Sequence, residues 1–343
     1  MFAELGITLL ITREYEHLVM ALSSVKGRPR ISFFPLPHPS GLAVDRGRNR
    51  VMLASTRNPN QVYELRPVTS VLKRNDIAGP SWEGGHLAPV SSAFYPGSMY
   101  FHDLAFIGTK LHANAVGHNA VVRLERDGGF ERVWWPRSIE RGGEPDFSSN
   151  YIQLNSIAAG PNPRASYYSA SSAKPGRYRP GHLNYPVDRR GVIFSGRTRE
   201  VYCAGLTRPH SARLRQGKVW VANSGYGELG FAEGGKLEVV ARLPGWTRGL
   251  CIVGDIAFVS TSRVIPRYAK YAPGLDVSAS RCGVHAVDCL SGKVLGSLEW
   301  PFGNQVFAID WIGANVSTGF PFEARARGSK RELAFFYTGI TAG

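Results

Sequence analysis

Cysteine is sparse, with four in 343 residues. None stands in C-x-x-C spacing, which gives no basis for a disulfide framework or a thiolate metal site. Cys203, Cys251, Cys282 and Cys289 are scattered, two of them in apolar strand-like runs, and read as buried reduced thiols. No apolar run is long enough to cross a membrane. The N-terminal stretch Ile7-Thr8-Leu9-Leu10-Ile11, set between Glu4 and Arg13, is too short even for a signal core. A cytoplasmic protein without membrane contact is expected. Helical periodicity seldom lasts beyond two turns, which argues against a helical fold. The chain also lacks a phosphate-binding loop, a dinucleotide fingerprint, a metalloprotease helix motif and a G-x-S-x-G elbow. An ordinary serine hydrolase is therefore discounted, and Ser211 beside His210 gives no pair, because neighbours on a strand point to opposite faces.

Acidic residues are few: 26 against 41 basic ones, for a formal charge of +15, and 32 of the basic residues are arginine against 9 lysine. Guanidinium groups grip carboxylate or phosphate in a two-pronged fashion. An acidic partner and a merely arginine-rich base composition both account for this balance. No basic run with interleaved aromatics and no zinc-finger spacing supports nucleic-acid binding.

What the chain has in plenty is turn chemistry, with Gly 39 and Pro 22, between short runs rich in Val, Ile, Phe and Trp. That is the pattern of an all-β fold of short strands. One phrase recurs six times, as a small residue inside an apolar run followed by a loop and a second strand. The copies centre on Gly41, Asp103, Ser156, Ser211, Gly249 and Ala308, at intervals of 62, 53, 55, 38 and 59 residues. These spacings fit four-stranded antiparallel blades of a β-propeller, about 40 to 50 residues each plus loops. The expectation is a single domain over residues 1–343 forming a six-bladed β-propeller. Too little chain follows Ala308 for a whole blade once 322–330 is set aside as a loop. The last sheet should then borrow an N-terminal strand, Val19–Leu22 or the run at Leu9, and so close the ring. Long insertions at about 74–98, 137–150, 171–191 and 263–281 should cover or line a site.

The innermost strand of each blade borders the central channel, and alternation puts the residues one and three before each centre on one face. That set is His38 and Ser40, Tyr100 and His102, Gln153 and Asn155, Arg208 and His210, Trp246 and Arg248, Gln305 and Phe307. It is polar enough to describe a prepared pocket. His102 and His210 are the candidate acid/base groups, and Asp103 is a candidate catalytic carboxylate, weighed against strand-end capping. Arg248 is the candidate clamp for an anionic substrate group, with Gln153, Asn155, Gln305, Tyr100 and Trp246 as further substrate contacts. Asp310 is weighed in the same way as Asp103, and Glu228 reads as structural.

The phrases Pro39-Ser40-Gly41-Leu42-Ala43-Val44-Asp45, His102-Asp103-Leu104-Ala105, Gly205-Leu206-Thr207-Arg208-Pro209-His210-Ser211-Ala212-Arg213, Asn223-Ser224-Gly225-Tyr226-Gly227-Glu228-Leu229 and Leu243-Pro244-Gly245-Trp246-Thr247-Arg248-Gly249-Leu250 resemble an uncharacterised family of bacterial β-propeller proteins. The resemblance implies the propeller architecture and no function. It also implies a histidine where this chain has Gln153 and an acidic residue where it has Gln305. With His102 and His210 those would make a set suited to a divalent transition metal. Two readings follow: a metal site rebuilt from His102, His210 and His38, or a pocket that works by hydrogen bonds alone. The functional expectation is an enzyme acting on a small anionic or peptide substrate, a tailoring step of bacterial specialised metabolism. A non-catalytic propeller that binds a ligand or protein is the alternative.

Overall fold

The computed structural model describes residues 1–57, 59–68, 85–148, 150–301, 303 and 305–323. Among the described residues six antiparallel sheets of four or five strands succeed one another along the chain, with a two-stranded one, Glu140–Arg141 against Glu144–Pro145, inside the 137–150 insertion. The first blade is Pro39–Asp45, Arg50–Ser55, Asn60–Val68 and His86–Tyr95; the second is Phe101–Ile107, Lys110–Ala115, Ala120–Leu124 and Phe130–Trp134. The third is Leu154–Ala158, Tyr167–Ala170, Gly191–Ser195 and Val201–Leu206; the fourth is Pro209–Arg215, Lys218–Asn223, Glu228–Glu233 and Lys236–Arg242. Trp246–Val253, Ile256–Ser262, Cys282–Asp288 and Val294–Trp300 form the fifth. In the sixth, Ile309–Gly313 is hydrogen-bonded to Ile7–Arg13, which leads on to Leu18–Val25 and Arg28–Pro35.

Three readings need correction here. Both N-terminal runs, at Leu9 and at Val19, join the sixth sheet, and Phe322–Glu323, expected to be loop, adds a short fifth strand beside Arg28–Pro35. Residues 86–95, expected to be insertion, are the outer strand of the first blade; the rest of that insertion before residue 85 and the chain after 323 lie outside the described residues.

Neighbouring blades pack face to face, and each of the six interfaces holds its own apolar cluster, such as Leu10, Val19, Leu42, Leu53 and Phe307 between the sixth and first blades. Inner and middle strands are therefore buried on both faces and read as nearly continuous apolar runs. The outermost strand of the fifth blade is exposed over most of its length.

The small centres of the repeated phrase have a steric cause. A Cβ on Gly41 would sit 2.6 Å from the backbone nitrogen of Leu104, and one on Gly249 would sit 2.8 Å from Ile309 Cγ1, because inner strands of adjacent blades touch near the axis. Each interface is also pinned by polar contacts. Asp310 accepts from the Val44 amide, Ser40 donates to the Phe101 carbonyl, and Asp103 accepts from the Ile157 amide. Ser156 accepts from the Ala212 amide, Ser224 donates to the Thr247 carbonyl, and the Gly249 amide donates to the Phe307 carbonyl. Much of the polarity in the six phrases is thus structural, since buried polar groups near the axis need partners.

Candidate functional site

The inner strands enter the ring through a shared backbone feature. Three residues before the centre of each of the first four phrases, His38, Tyr100, Gln153 and Arg208 have φ of 43°, 52°, 47° and 55°, in the left-handed region. Non-glycine residues take that conformation rarely and at some cost in energy. It turns the chain into the strand, and three of these side chains, Tyr100, Gln153 and Arg208, line one end of the channel.

At that end lies a cavity of about 330 Å³. Tyr100, Gln153, Arg208, Trp246 and Gln305 line it, as do His102, Arg248 and Phe307 from one position before the centres. Loops following second strands add Glu14 and Tyr15, Thr56 and Arg57, and Val116; the insertions add Asn150, Pro180, Gly181, Tyr268 and Tyr271. The 171–191 and 263–281 insertions are held over this end by an apolar cluster of Tyr185, Val187, Val264, Tyr271 and Ala272 around Trp246.

Arg248 is buried and donates from Nη2 to His210 Nε2 at 3.0 Å. A guanidinium can only donate, so His210 Nε2 accepts, and its Nδ1 carries the proton toward the Ser211 hydroxyl at 3.0 Å. Arg248 also lies over the rings of Phe307 at 4.3 Å and Trp246 at 5.1 Å. Arg208 donates to Gln153 Oε1 and, at 3.2 Å, to the Ser171 hydroxyl, and lies over Tyr271 at 4.8 Å. Glu14 is buried, 3.3 Å from Arg57. Tyr15 and Tyr268 share a hydroxyl hydrogen bond of 2.7 Å.

Burial sets the charges. It pushes His102 and His210 well below the ordinary imidazole value, the Arg248 charge pushes them further, and both are neutral at pH 7. Burial brings Arg248 down to about 10, opposed by the Glu14 charge, so it stays cationic; Arg208 is lowered for the same first reason. The Glu14 carboxyl is raised by burial against the pull of Arg248 and Arg57. Tyr15 is pushed up to about 12, by burial and its bond to Tyr268.

The structure divides the expected site residues. Tyr100, His102, Gln153, Trp246, Arg248 and Gln305 are brought together around the cavity. His210 lies behind Arg248 and is absent from the cavity wall. Asn155 is tied to Ser171 at 3.0 Å and to the Pro209 carbonyl at 2.8 Å, and so joins blades instead of lining the pocket. Asp103, expected as a catalytic candidate, is also placed elsewhere: it pairs with Arg213 at 2.9 Å and accepts from the Leu104 and Ile157 amides, one of which belongs to the next blade. Its charge is used up in joining the inner strands.

The three-histidine metal set is not assembled. His38 packs edge-on against His17, ring centroids 4.2 Å apart, and is not part of the cavity wall. The rings of His102 and His210 are 5.6 Å apart, but both nitrogens of His210 are engaged, and two buried guanidinium groups stand where a cation would have to approach. Among the described residues no group of three or more His, Cys, Asp or Glu is arranged to hold a metal ion. The side chains present do not fit a divalent metal.

Glu14, Arg57, Tyr15 and Tyr268 were not reached from the sequence. Glu14 directly follows a second strand, as Thr56 and Val116 do, and that equivalence becomes visible only once the N-terminal strands are assigned to the sixth blade.

The fold and site define a six-bladed β-propeller with an arginine-bearing, aromatic-walled cavity at one end of its central channel. Residues 1–318 match the model of a family described as a domain of unknown function, DUF4915, and the chain belongs to that family. No functionally curated protein matches the sequence. Among solved structures, a chain of a nidogen–laminin complex is similar at 9% identity with a TM-score of 0.58, over 89% of this chain and 98% of that one. A gluconolactonase from Xanthomonas campestris is 14% identical with a TM-score of 0.49, over 87% and 86% of the two chains. At these identities the first likeness concerns the fold alone. No helix among the described residues is long and apolar enough to cross a membrane.

Proposed function

We propose that the protein is an enzyme that binds a small organic anion in this cavity and acts on it by proton transfer, with Arg248 holding the anionic group and His102 as the catalytic residue. The observation that carries the reading is the pairing of Arg248 with a neutral acceptor. A guanidinium buried to 6% relative exposure and hydrogen-bonded to an uncharged imidazole shares its one nearby counter-charge, Glu14, with Arg57, and a ligand carboxylate or phosphate would supply a counter-charge of its own. His102 stands beside it, neutral, with a buried Nδ1 that has no hydrogen-bond partner, and an anion bound to Arg248 would offset the positive charge that lowers the proton affinity of this ring. His210 is a positioning residue: by accepting from Arg248 it fixes the direction of the guanidinium. Tyr100, Gln153, Trp246 and Gln305 complete the contacts to substrate. A tailoring step on a small metabolite or short peptide suits a cavity of about 330 Å³.

The test is turnover of a panel of carboxylate-bearing esters, lactones and short acidic peptides by wild type and by His102→Gln. The reading expects turnover of at least one member, falling about 100-fold or more in the variant while binding persists. Binding without turnover by wild type would make the protein a ligand-binding module instead.

A further inference from the structure

The charges around the cavity are unequal in a way that narrows the ligand. Three arginines line it, Arg57, Arg208 and Arg248, against one carboxylate among its lining residues, Glu14. Glu14 is ion-paired with Arg57, the arginine open to solvent, and its charge also acts on Arg248, so one carboxylate is shared among the cations. Arg208 and Arg248 have only neutral hydrogen-bond partners: Gln153 and Ser171 for one, His210 for the other. His102 adds no charge, which leaves the cavity two positive charges in excess.

The two guanidinium groups belong to one wall. Trp246 and Tyr271 are stacked at 10° with centroids 6.5 Å apart; Arg248 lies over the first ring and Arg208 over the second. Flat rings brace the cations from one side and leave their N–H edges for a ligand. Arg248 Nε and Trp246 Nε1 are buried donors without a hydrogen-bond partner, on the same wall. Two like charges kept this close repel, and the Arg208 charge contributes to lowering Arg248. A ligand that answers only one of them leaves the other buried and unpaired, which is costly.

We propose that the cavity takes a small organic acid bearing two negative charges, a phosphate monoester or a dicarboxylate, with Arg208 neutralising one charge and Arg248 the other. This rests on the reading of the cavity as an anion-binding site. The aromatic wall favours a substrate with a flat or apolar body behind its charged head.

Calorimetric titration with phenyl phosphate and phenyl sulfate isolates the charge, because the two esters have nearly the same shape. At about pH 7.5 the phosphate is mostly a dianion, its second pKa being about 6, whereas the sulfate stays a monoanion. Phenyl phosphate is expected to bind at least about tenfold more tightly, the effect of one further charge-assisted contact. Phthalate should exceed benzoate in the same direction if the two charges are read as separate groups. In Arg208→Gln, folded by circular dichroism, the preference for phosphate over sulfate should vanish while phenyl sulfate still binds. Equal affinity of the two esters for wild type overturns the dianion inference and leaves the anion reading standing. A preference that survives in Arg208→Gln overturns the role given to that residue, and failure of all four acids to bind overturns both readings.

Discussion

Arg248 and His210, 38 residues apart in the chain and on the inner strands of adjacent blades, are joined by a 3.0 Å hydrogen bond from Nη2 to Nε2. The bond joins a charge that burial has not removed to a ring that burial has kept neutral. It makes the arginine a fixed donor facing the cavity.

That relationship gives a pH dependence. In the unfolded chain His102 and His210 titrate near 6.5, whereas in the native protein both are held well below that value by burial and then by Arg248. Below about pH 6.5 the unfolded state binds more protons, so the stability these groups allow is fully present above that pH and falls as acid is added. The melting temperature of wild type should therefore drop further between about pH 7.5 and 5 than that of His210→Gln, whose side chain does not titrate. Parallel curves for the two proteins would show that His210 is not held neutral.

Asp103 and Arg213 form a partly buried ion pair between the second and fourth blades, with the Ile157 amide of the third blade on the same carboxylate. Arg213→Ala strands that carboxylate and should destabilise the protein by about 3–5 kcal/mol in denaturant unfolding. Anion binding at the far cavity should be unchanged once the variant is folded. A variant of full stability would remove Asp103 from the list of blade ties.

Gly41 packs against the backbone of Asp103 and Leu104. Gly41→Ala puts a methyl group where only backbone can move aside, and about 1–3 kcal/mol of stability should be lost in the same assay. An unchanged unfolding midpoint would show that the first two inner strands are farther apart than described.

The four cysteines are free and buried. Burial raises all four thiols, with Cys203 and Cys289 pushed up to about 11. A thiol reagent should find essentially no fast-reacting cysteine in native protein and all four after denaturation. One rapid native reaction would expose an error in the packing of the blade that carries it.

The sequence made the ring legible because the inner strands repeat a steric demand, a small residue where neighbouring blades touch at Gly41 and Gly249. Counting back three residues from those centres found Tyr100, Gln153, Arg208, Trp246 and Gln305, five lining residues. Counting back one was less secure. The strand register shifts at or next to several centres, as between Phe101 and Leu104 or between His210 and Arg213, and a shift of that kind breaks strict alternation. Asn155 and Ser40 were spent on blade contacts, and His38 turned to His17. Glu14, Tyr15 and Tyr268 come from loops, which carry no periodicity to read. The place of Glu14 and Tyr15 follows only from the sixth sheet drawing its strands from both ends of the described chain, whereas Tyr268 belongs to the 263–281 insertion, which was expected to line a site without its residues being singled out.

The central claim is that Arg248 makes this cavity select negative charge. Calorimetric titration of wild type and Arg248→Gln with benzoate and its neutral counterpart benzamide tests it most directly. The account predicts that wild type prefers benzoate by at least about tenfold, and that the preference is lost in the variant. Equal binding of the two by wild type, or a preference for benzoate that survives in Arg248→Gln, would contradict it.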